Sequence, residues 1–443
     1  MTAAESSGRR SKRRIRWWWF AIALPVLALG FWFTWIAILE HRFEAGIDAI
    51  RAAHEPVDLA EFNHPPLEPG DDAAPLLRRF DRWYDEHGID DDWLRDPEYE
   101  LVDDVGREAA RRWVVQSDGA FAWLRAAAAK PDWDFGLDWR KGVELEVPSV
   151  PIIPEILDTV RLRARYGDGR AKRIAGEVAI LFDLARKVER PTLITCLVRW
   201  TMHEVALQTL REAAPLDDFD PVAARALLRP SLREAEDPAG LRDAIRGERV
   251  VCMSLVRRWI AGEDPWNWLE PAKAGKGLHG RLNGWFWSSF LMRPWACLDG
   301  LHAQEMFREG LEITAMKPWE ALARSKAFRG RYNLGVESIH TRLYHNLFSK
   351  AWVERCRHLA KLRLARAGLA ILAWRAEHGT WPATLDKAGR WIDPFTGGDL
   401  IYKVEKDHAQ VSVRVPKPEN WTPELEAAEC FEGDYPIFWR LPK

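Results

Sequence analysis

Cysteine is scarce in this chain. Five occur among 443 residues, Cys196, Cys252, Cys297, Cys356 and Cys430, and no two make a Cys-x-x-Cys pair. An odd count leaves at least one thiol unpaired in an oxidising compartment, and a chain this long does not need disulfides to stabilise its core. Cys196, Cys252 and Cys356 fall among apolar helical positions and read as small core residues.

Catalytic signatures are missing too. There is no Gly-x-Ser-x-Gly and no P-loop. His203-Glu204 opens like a zinc-hydrolase motif, but the second histidine must follow one turn later to share a face, and position 207 is Leu. His340 and His345 are five apart and poorly aligned on a helix. No metal and no cofactor is therefore expected. Six of the 64 basic residues and one of the 66 acidic ones precede residue 17, which leaves 58 against 65, a net of −7. An acidic balance argues against nucleic acid as a partner.

What the chain does have is one long uncharged run, Trp17–Leu39. About 20 apolar residues suffice to cross a bilayer as a helix, the form that satisfies its own backbone in lipid. Pro25 is tolerable there with a small kink. Trp17, Trp18 and Trp19 mark one interface and Trp35 lies near the other. Arg9, Arg10, Lys12, Arg13, Arg14 and Arg16 precede the run, while Glu40, His41, Arg42 and Glu44 follow it. That asymmetry predicts a cytoplasmic N-terminus and an extracytoplasmic remainder, hence a single-pass protein of the bacterial inner membrane. A cleaved signal peptide would have a shorter apolar region and small residues at a cleavage site, and Ile38-Leu39-Glu40 offers none.

The rest reads as mainly α: a basic head 1–16, the transmembrane helix 17–39, a tether 40–70, a helical extracytoplasmic domain 71–336, and a long helix with a small α+β tail 337–443. Prolines 56, 65, 66 and 69 stop helix and favour extended chain in the tether. Leu76, Leu77, Phe80, Trp83 and Tyr84 give an apolar face after Asp71-Asp72. Residues 101–129 read as one helix, and Trp133, Phe135 and Trp139 as an aromatic connector folded back on the core. Between 155 and 214 three stripes repeat at helical spacing, split by Gly167-Asp168-Gly169 and by Pro191-Thr192, an αα-hairpin arrangement. An acidic loop, 215–221, precedes helices over 221–229 and 238–261. Residues 262–284 are weakly patterned and read as a mobile loop; helices return over 285–315 and 318–329. Cys356, Ala360, Leu364, Ala367, Ile371 and Trp374 mark the longest helix, 337–378, ended by Gly379. Alternating segments near 400–404 and 408–413 read as short strands.

Gly379, Pro382, Leu385, Asp393, Pro394, Phe395, Gly397 and Tyr402 follow a Gly-x-x-Pro turn, then an Asp-Pro-aromatic-x-Gly turn into strands. This stretch of about 50 residues resembles the C-terminal element of major-pseudopilin-like proteins of type II secretion. The start of the apolar run lacks their Gly-Phe-Thr-Leu-x-Glu signature. The whole layout resembles an uncharacterised group of single-pass bacterial envelope proteins. The resemblance implies a location and a structural role, and no activity.

Two carboxylates fall on apolar stripes: Glu204, four after Trp200 and three before Leu207, and Glu248, four before Cys252. In one cleft they could serve a hydrolase as acid and base. Otherwise each pairs with a neighbouring arginine such as Arg199, Arg246 or Arg249. The favoured expectation is a membrane-anchored helical scaffold or interaction protein. Its partners are the bilayer, through Trp17 to Leu39, and proteins of the envelope. The alternative is an envelope hydrolase.

Overall fold

The computed structural model describes residues 5–63, 65–88, 104–134, 136–144, 149–167, 171–188, 192–216, 218–263, 286–332, 338–405, 408–414 and 438–441, with side chains at the first 18 positions left undescribed. Phe135, Gly169, Pro191, Cys430 and nearly all of the weakly patterned 262–284 stretch lie outside the described residues. The fold is mainly helical with few strands. Its helices are α1 (Glu5–Ala52), α2 (Ala74–His87), α3 (Asp104–Gln116), α4 (Asp118–Ala129), α5 (Ser149–Tyr166), α6 (Ala171–Ala185), α7 (Leu193–Ala213), α8 (Pro221–Glu236), α9 (Ala239–Ile260), α10 (Arg293–Thr314), α11 (Pro318–Tyr332), α12 (Ile339–His378) and the short α13 (Leu385–Ala388).

The chain divides into two compact units. The first comprises 1–58, 249–306 and 334–343, and the second 59–248, 307–333 and 344–443.

In the first unit α1 passes through Pro25 and continues unbroken to Ala52. From Trp19 it is long and apolar enough to cross a membrane. Its character changes near the end of the apolar run. Phe20, Leu24, Leu27 and Phe31 are exposed, whereas Ile36, Leu39, Phe43 and Ile47 are buried at spacings of three and four. Those four residues form a helical face that enters the core of the unit. Gly300 of α10 allows the contact: a Cβ there would lie 2.6 Å from the Phe43 ring and 2.7 Å from Val256. Gln304 Nε2 donates to the Phe43 carbonyl at 2.9 Å, and Arg257 makes a two-pronged ion pair with Glu44 at 2.7 and 3.1 Å.

The start of α12 is pinned by a single carboxylate. Asp299, fully buried on α10, accepts from the His340 N–H (2.8 Å), His340 Nδ1 (2.9 Å), the Thr341 N–H (3.1 Å) and the Thr341 hydroxyl (2.7 Å). Helix N-termini leave unsatisfied N–H groups, and a negative charge placed there meets the positive end of the helix dipole. Burial alone would raise the Asp299 pKa; the His340 and Thr341 donors outweigh it and hold the carboxyl below its usual range.

In the second unit the expected stripes form the core. Leu77, Phe80 and Tyr84 of α2, Ile153, Ile156 and Val160 of α5, and Ile174, Val178, Leu181 and Ala185 of α6 are buried together. The α5–α6–α7 hairpins form as expected, α6 packing on α7 and α4, and α5 on α7 and α3. Trp133 and Trp139 are buried, as expected of a connector folded back. The proline-containing stretch departs from extended chain: Leu59–Phe62 is a 3-10 turn whose Leu59 is buried, and Asn63 Oδ1 accepts from the Trp139 N–H at 2.9 Å.

Two boundaries differ from expectation for identifiable reasons. The single helix over 101–129 is two, meeting at Ser117. The buried Ser117 hydroxyl bonds the Val114 carbonyl at 2.7 Å and receives Arg163 Nη1 at 3.0 Å. Arg163 and Glu177 are each 4% exposed and bonded at 3.0 Å. The remaining guanidinium protons of a buried arginine need acceptors, and the break supplies two for Arg163, the Val114 carbonyl and the Ser117 hydroxyl. Helix α8 runs past residue 229 and through Pro230 to Glu236, capped by Asp220, whose carboxylate accepts from the Val222 and Ala223 N–H groups.

Gly379, at φ +71°, terminates α12 where an ordinary side chain would be strained. Buried Asp393 then organises the tail, accepting from the Phe395 N–H at 2.9 Å and the Arg414 N–H at 2.8 Å. The expected strands are β1 (Ile401–Val404) and β2 (Ala409–Ser412); β3 (Phe438–Leu441), unforeseen, completes an antiparallel sheet in the order β1-β2-β3. Trp439 of β3 lies buried in the same core as Ile371 of α12.

Asp299→Ala should destabilise the chain by about 2–4 kcal/mol, because four donors lose one buried acceptor. Thermal unfolding reads this. An unchanged midpoint would remove Asp299 from its place as the anchor of α12.

Candidate functional site

The carboxylates singled out by the sequence do not share a cleft. Glu204 lies on the exposed row of α7 with Leu197, Thr201, Gln208 and Arg211. Its side chain is 53% exposed and makes an ion pair with Lys361 of α12. The expected inward placement fails because the stripe was phased one position off: the buried face of α7 carries Met202, His203, Ala206 and Leu210. Glu248 of α9 does turn inward. Its Oε1 accepts from the N–H of Leu193, the first residue of α7, at 2.8 Å. Leu193 and Glu204 are 11 residues apart on one helix, about 16 Å along its axis. The arginines expected as partners are engaged elsewhere: Arg199 with Glu234, Arg246 with Asp243, and Arg249 with Glu55.

Burial pushes the Glu248 carboxyl up to about 7, against the opposing pull of the Leu193 N–H. The group therefore titrates near neutrality, beside a helix N-terminus whose dipole favours the charged form.

A second cluster brings together residues far apart in sequence. His203 of α7 and His358 of α12 meet through Nδ1 and Nε2 at 3.2 Å, across 155 residues of chain. Their rings stack at 5.1 Å, with Trp200 against His358 at 5.6 Å and Phe182 against His203 at 5.2 Å. Burial, with the positive charge of Arg199 and Arg186, lowers the His203 pKa to about 3. Burial and the neighbouring His203, Lys361 and Arg199 hold His358 well below its ordinary value. Both imidazoles are neutral at physiological pH, so one donates and the other accepts. Among the described residues His203 Nε2 has no hydrogen-bond partner.

Arg199, 4% exposed, bonds Glu234 at 2.6 Å and the Val188 carbonyl at 3.1 Å. Arg355 bonds the Thr314 carbonyl at 3.0 Å. Together with Cys196 these groups border a cavity of about 30 Å³. That volume accommodates roughly one water, not a substrate. Chemically the cluster is a polar seam, a neutral stacked imidazole pair flanked by the Arg199–Glu234 ion pair, that joins α7, α8 and α12. Glu309 of α10 makes a further one, with Arg331 at 2.8 Å and the Tyr332 hydroxyl at 3.0 Å. Among the described residues no group of three His, Cys, Asp or Glu could hold a metal ion. Among the described residues Cys196, Cys252, Cys297 and Cys356 are buried and in no disulfide; burial pushes Cys297 and Cys356 up to about 12, away from nucleophilic reactivity.

Comparison with protein-family models, with curated proteins and with solved structures finds no match to this chain.

A pH series separates Glu248 from the histidine pair. Glu248 has a raised folded pKa, so its contribution to stability is full below about 4.5 and is lost as pH rises through about 7. Glu248→Gln keeps an acceptor for Leu193 without the charge, and should stabilise the chain at pH 8 by up to about 3 kcal/mol. The histidines have depressed folded pKa values, so their contribution is present above about 6.5 and is lost as pH falls toward about 3. His203→Phe/His358→Phe should flatten that acid limb while leaving the neutral-to-alkaline limb intact. Denaturant unfolding between pH 4 and 8 reads both slopes, and parallel curves for all three chains would refute the assignments.

Proposed function

We propose that α1 is a retained membrane anchor and that the chain is a single-pass inner-membrane protein of the bacterial envelope. Its N-terminus lies in the cytoplasm and its helical bulk outside, where it acts as a scaffold or interaction module. One observation carries the anchor: Ile36 and Leu39, inside the apolar run, are buried with Phe43 and Ile47. Cleavage at the end of the run would strip the first unit of part of its own core, a penalty of about 2–5 kcal/mol for each large residue lost. A processed signal sequence has no reason to be built in this way. The exposed residues Trp19 to Phe33 fit lipid, and the basic residues before them fit the cytoplasmic side.

Support for a structural role comes from where the buried polar groups go. Arg163, Arg199, Arg355 and Glu309 are tied to partners inside the fold, and Glu204 and Glu248 are separated. A hydrolase using those two carboxylates lacks a shared cleft. The stretch from Gly379 to Tyr402 is the one whose sequence resembles the pseudopilin C-terminal element. That likeness favours a task in secretion or surface assembly, with protein partners in the envelope and no nucleic acid.

Reporter fusions after residue 443 test the topology. Alkaline phosphatase should be active and a cytoplasm-restricted reporter inactive, with the chain resisting alkaline extraction at its full mass; the reverse pattern, or a shortened product, would overturn the anchor. Where deletion of the chain perturbs the envelope, Glu204→Gln/Glu248→Gln should restore it as well as the wild type does. Failure by a stably folded double variant would return the hydrolase to favour.

A further inference from the structure

The first unit carries an apolar surface that α1 does not account for. After α9 ends, the described chain resumes at 286 and reaches α10 through a tight turn containing the 3-10 segment Phe290–Met292. Phe286, Phe290 and Leu291 project outward, 45%, 46% and 43% exposed. Large apolar side chains clustered on one exposed turn mark a contact surface.

The position of this turn says what it contacts. Phe290 stacks on Phe33 of α1, centroids 6.1 Å apart with the rings 10° from parallel. Trp295, just beyond the turn, packs against Trp32 at 5.7 Å and Trp35 at 6.4 Å. Phe33 precedes Leu39, the last residue of the apolar run, by six residues, about 9 Å along the helix. The exposed aromatics of the turn thus stand at a depth where α1 itself is still apolar. Charge appears only toward the end of the run: Glu40, Glu44, Arg257 and Arg293 line a cleft of about 320 Å³. Mixed charge above an aromatic belt is the sequence of environments from headgroups to hydrocarbon.

Backbone satisfaction points the same way. Irregular chain enters a water-poor region only where its polar groups have partners. The Phe286 carbonyl accepts from Ser289 Oγ at 2.6 Å and from the Ser289 N–H at 3.1 Å. The Trp287 carbonyl accepts from the Trp259 indole at 2.9 Å, and the Ser289 carbonyl from the Met292 N–H at 3.0 Å.

We propose that the turn 286–291 is a second membrane-embedded element, a monotopic ridge that enters the bilayer beside α1 in the leaflet nearest residue 40. This rests on the reading of α1 as a retained anchor. The ridge makes α1 one of two contacts with lipid, so that the first unit is seated on the membrane and not merely leashed to it.

Nitroxide labelling of the full chain in phosphatidylcholine nanodiscs tests this, in a Cys430→Ser background where the described native cysteines are buried. Labels go on Phe290→Cys and Leu291→Cys, with Leu27→Cys as the reference inside the apolar run and Val404→Cys as an exposed reference on β1. Circular dichroism matching the parent establishes folding, and either ridge position suffices if the other misfolds. The ratio of oxygen to nickel-chelate accessibility at 290 and 291 should be several-fold above that at 404 and below that at 27. A ratio at 290 and 291 equal to that at 404, with 27 high, overturns the ridge and leaves the anchor standing. A water-like ratio at 27 overturns both. Spin–spin broadening at 290 would show that a second copy, not lipid, covers the surface, and would also overturn the proposal.

Discussion

A helix in lipid must satisfy its own backbone, and a helix in a protein core must bury one face; α1 is long and apolar enough for the first over its apolar run and does the second beyond it. Between Phe33 and Ile36 it changes from apolar all round and exposed to apolar on one side and buried. This handover sets the demands on the rest of the first unit. Gly300 must lack a side chain for Phe43 to fit, and Glu44 leaves the apolar face to meet Arg257. Trp259 and Trp295 frame the turn that stacks on Phe33. An N-terminal segment that only tethered the chain would impose none of these constraints on residues more than 200 positions away.

The second unit is held by a different economy of forces. Its apolar stripes supply the bulk of the burial, at about 25 cal/mol per Å². Its specificity comes from buried polar seams that admit one arrangement each. Arg163 reaches Glu177, Ser117 and the Val114 carbonyl, and this set of bonds breaks what would otherwise be one helix into α3 and α4. His203 and His358 do the same for α7 and α12 without any charge. A neutral pair escapes the desolvation cost of an ion pair, but an imidazole left without its partner would be an unsatisfied buried group. Registry is the physical role of such seams, and it explains how titratable residues can gather around a cavity that has room for only one water.

How much of this was legible in the sequence depended on the range of the interaction. Stripes with clean periods, as in α5, α6 and α12, declared both helix and inward face, because a helix repeats its own geometry every few residues. The apolar run declared α1 by length alone. Residues such as Glu204 were misread because α7 is buried over most of its circumference, and a nearly all-round apolar pattern fixes no phase. Partners were illegible: His358 lies 155 residues from His203, Asp299 41 from His340, and Glu248 55 from the N–H it accepts. Periodicity names a face but not what the face meets. A faint signal existed for one of them, since Trp200, His203 and Phe182 are aromatic or imidazole groups on adjoining helices and such rings stack when buried.

The carboxylate pair shows why that distinction matters for function. A carboxyl raised to about 7 is an ordinary attribute of a catalytic acid, and by that attribute alone Glu248 would qualify. Catalysis by two carboxylates also requires both to reach one bond, within about 5–10 Å of each other. Glu204 sits about 16 Å further along α7 than the amide Glu248 holds, on the exposed row, tied to Lys361. Geometry therefore outranks the shifted pKa. The inward turn of Glu248 is better explained by the helix it begins: a carboxyl at the first N–H of α7 sets where that helix starts, and thereby where Arg199 and His203, on the same helix, meet their partners.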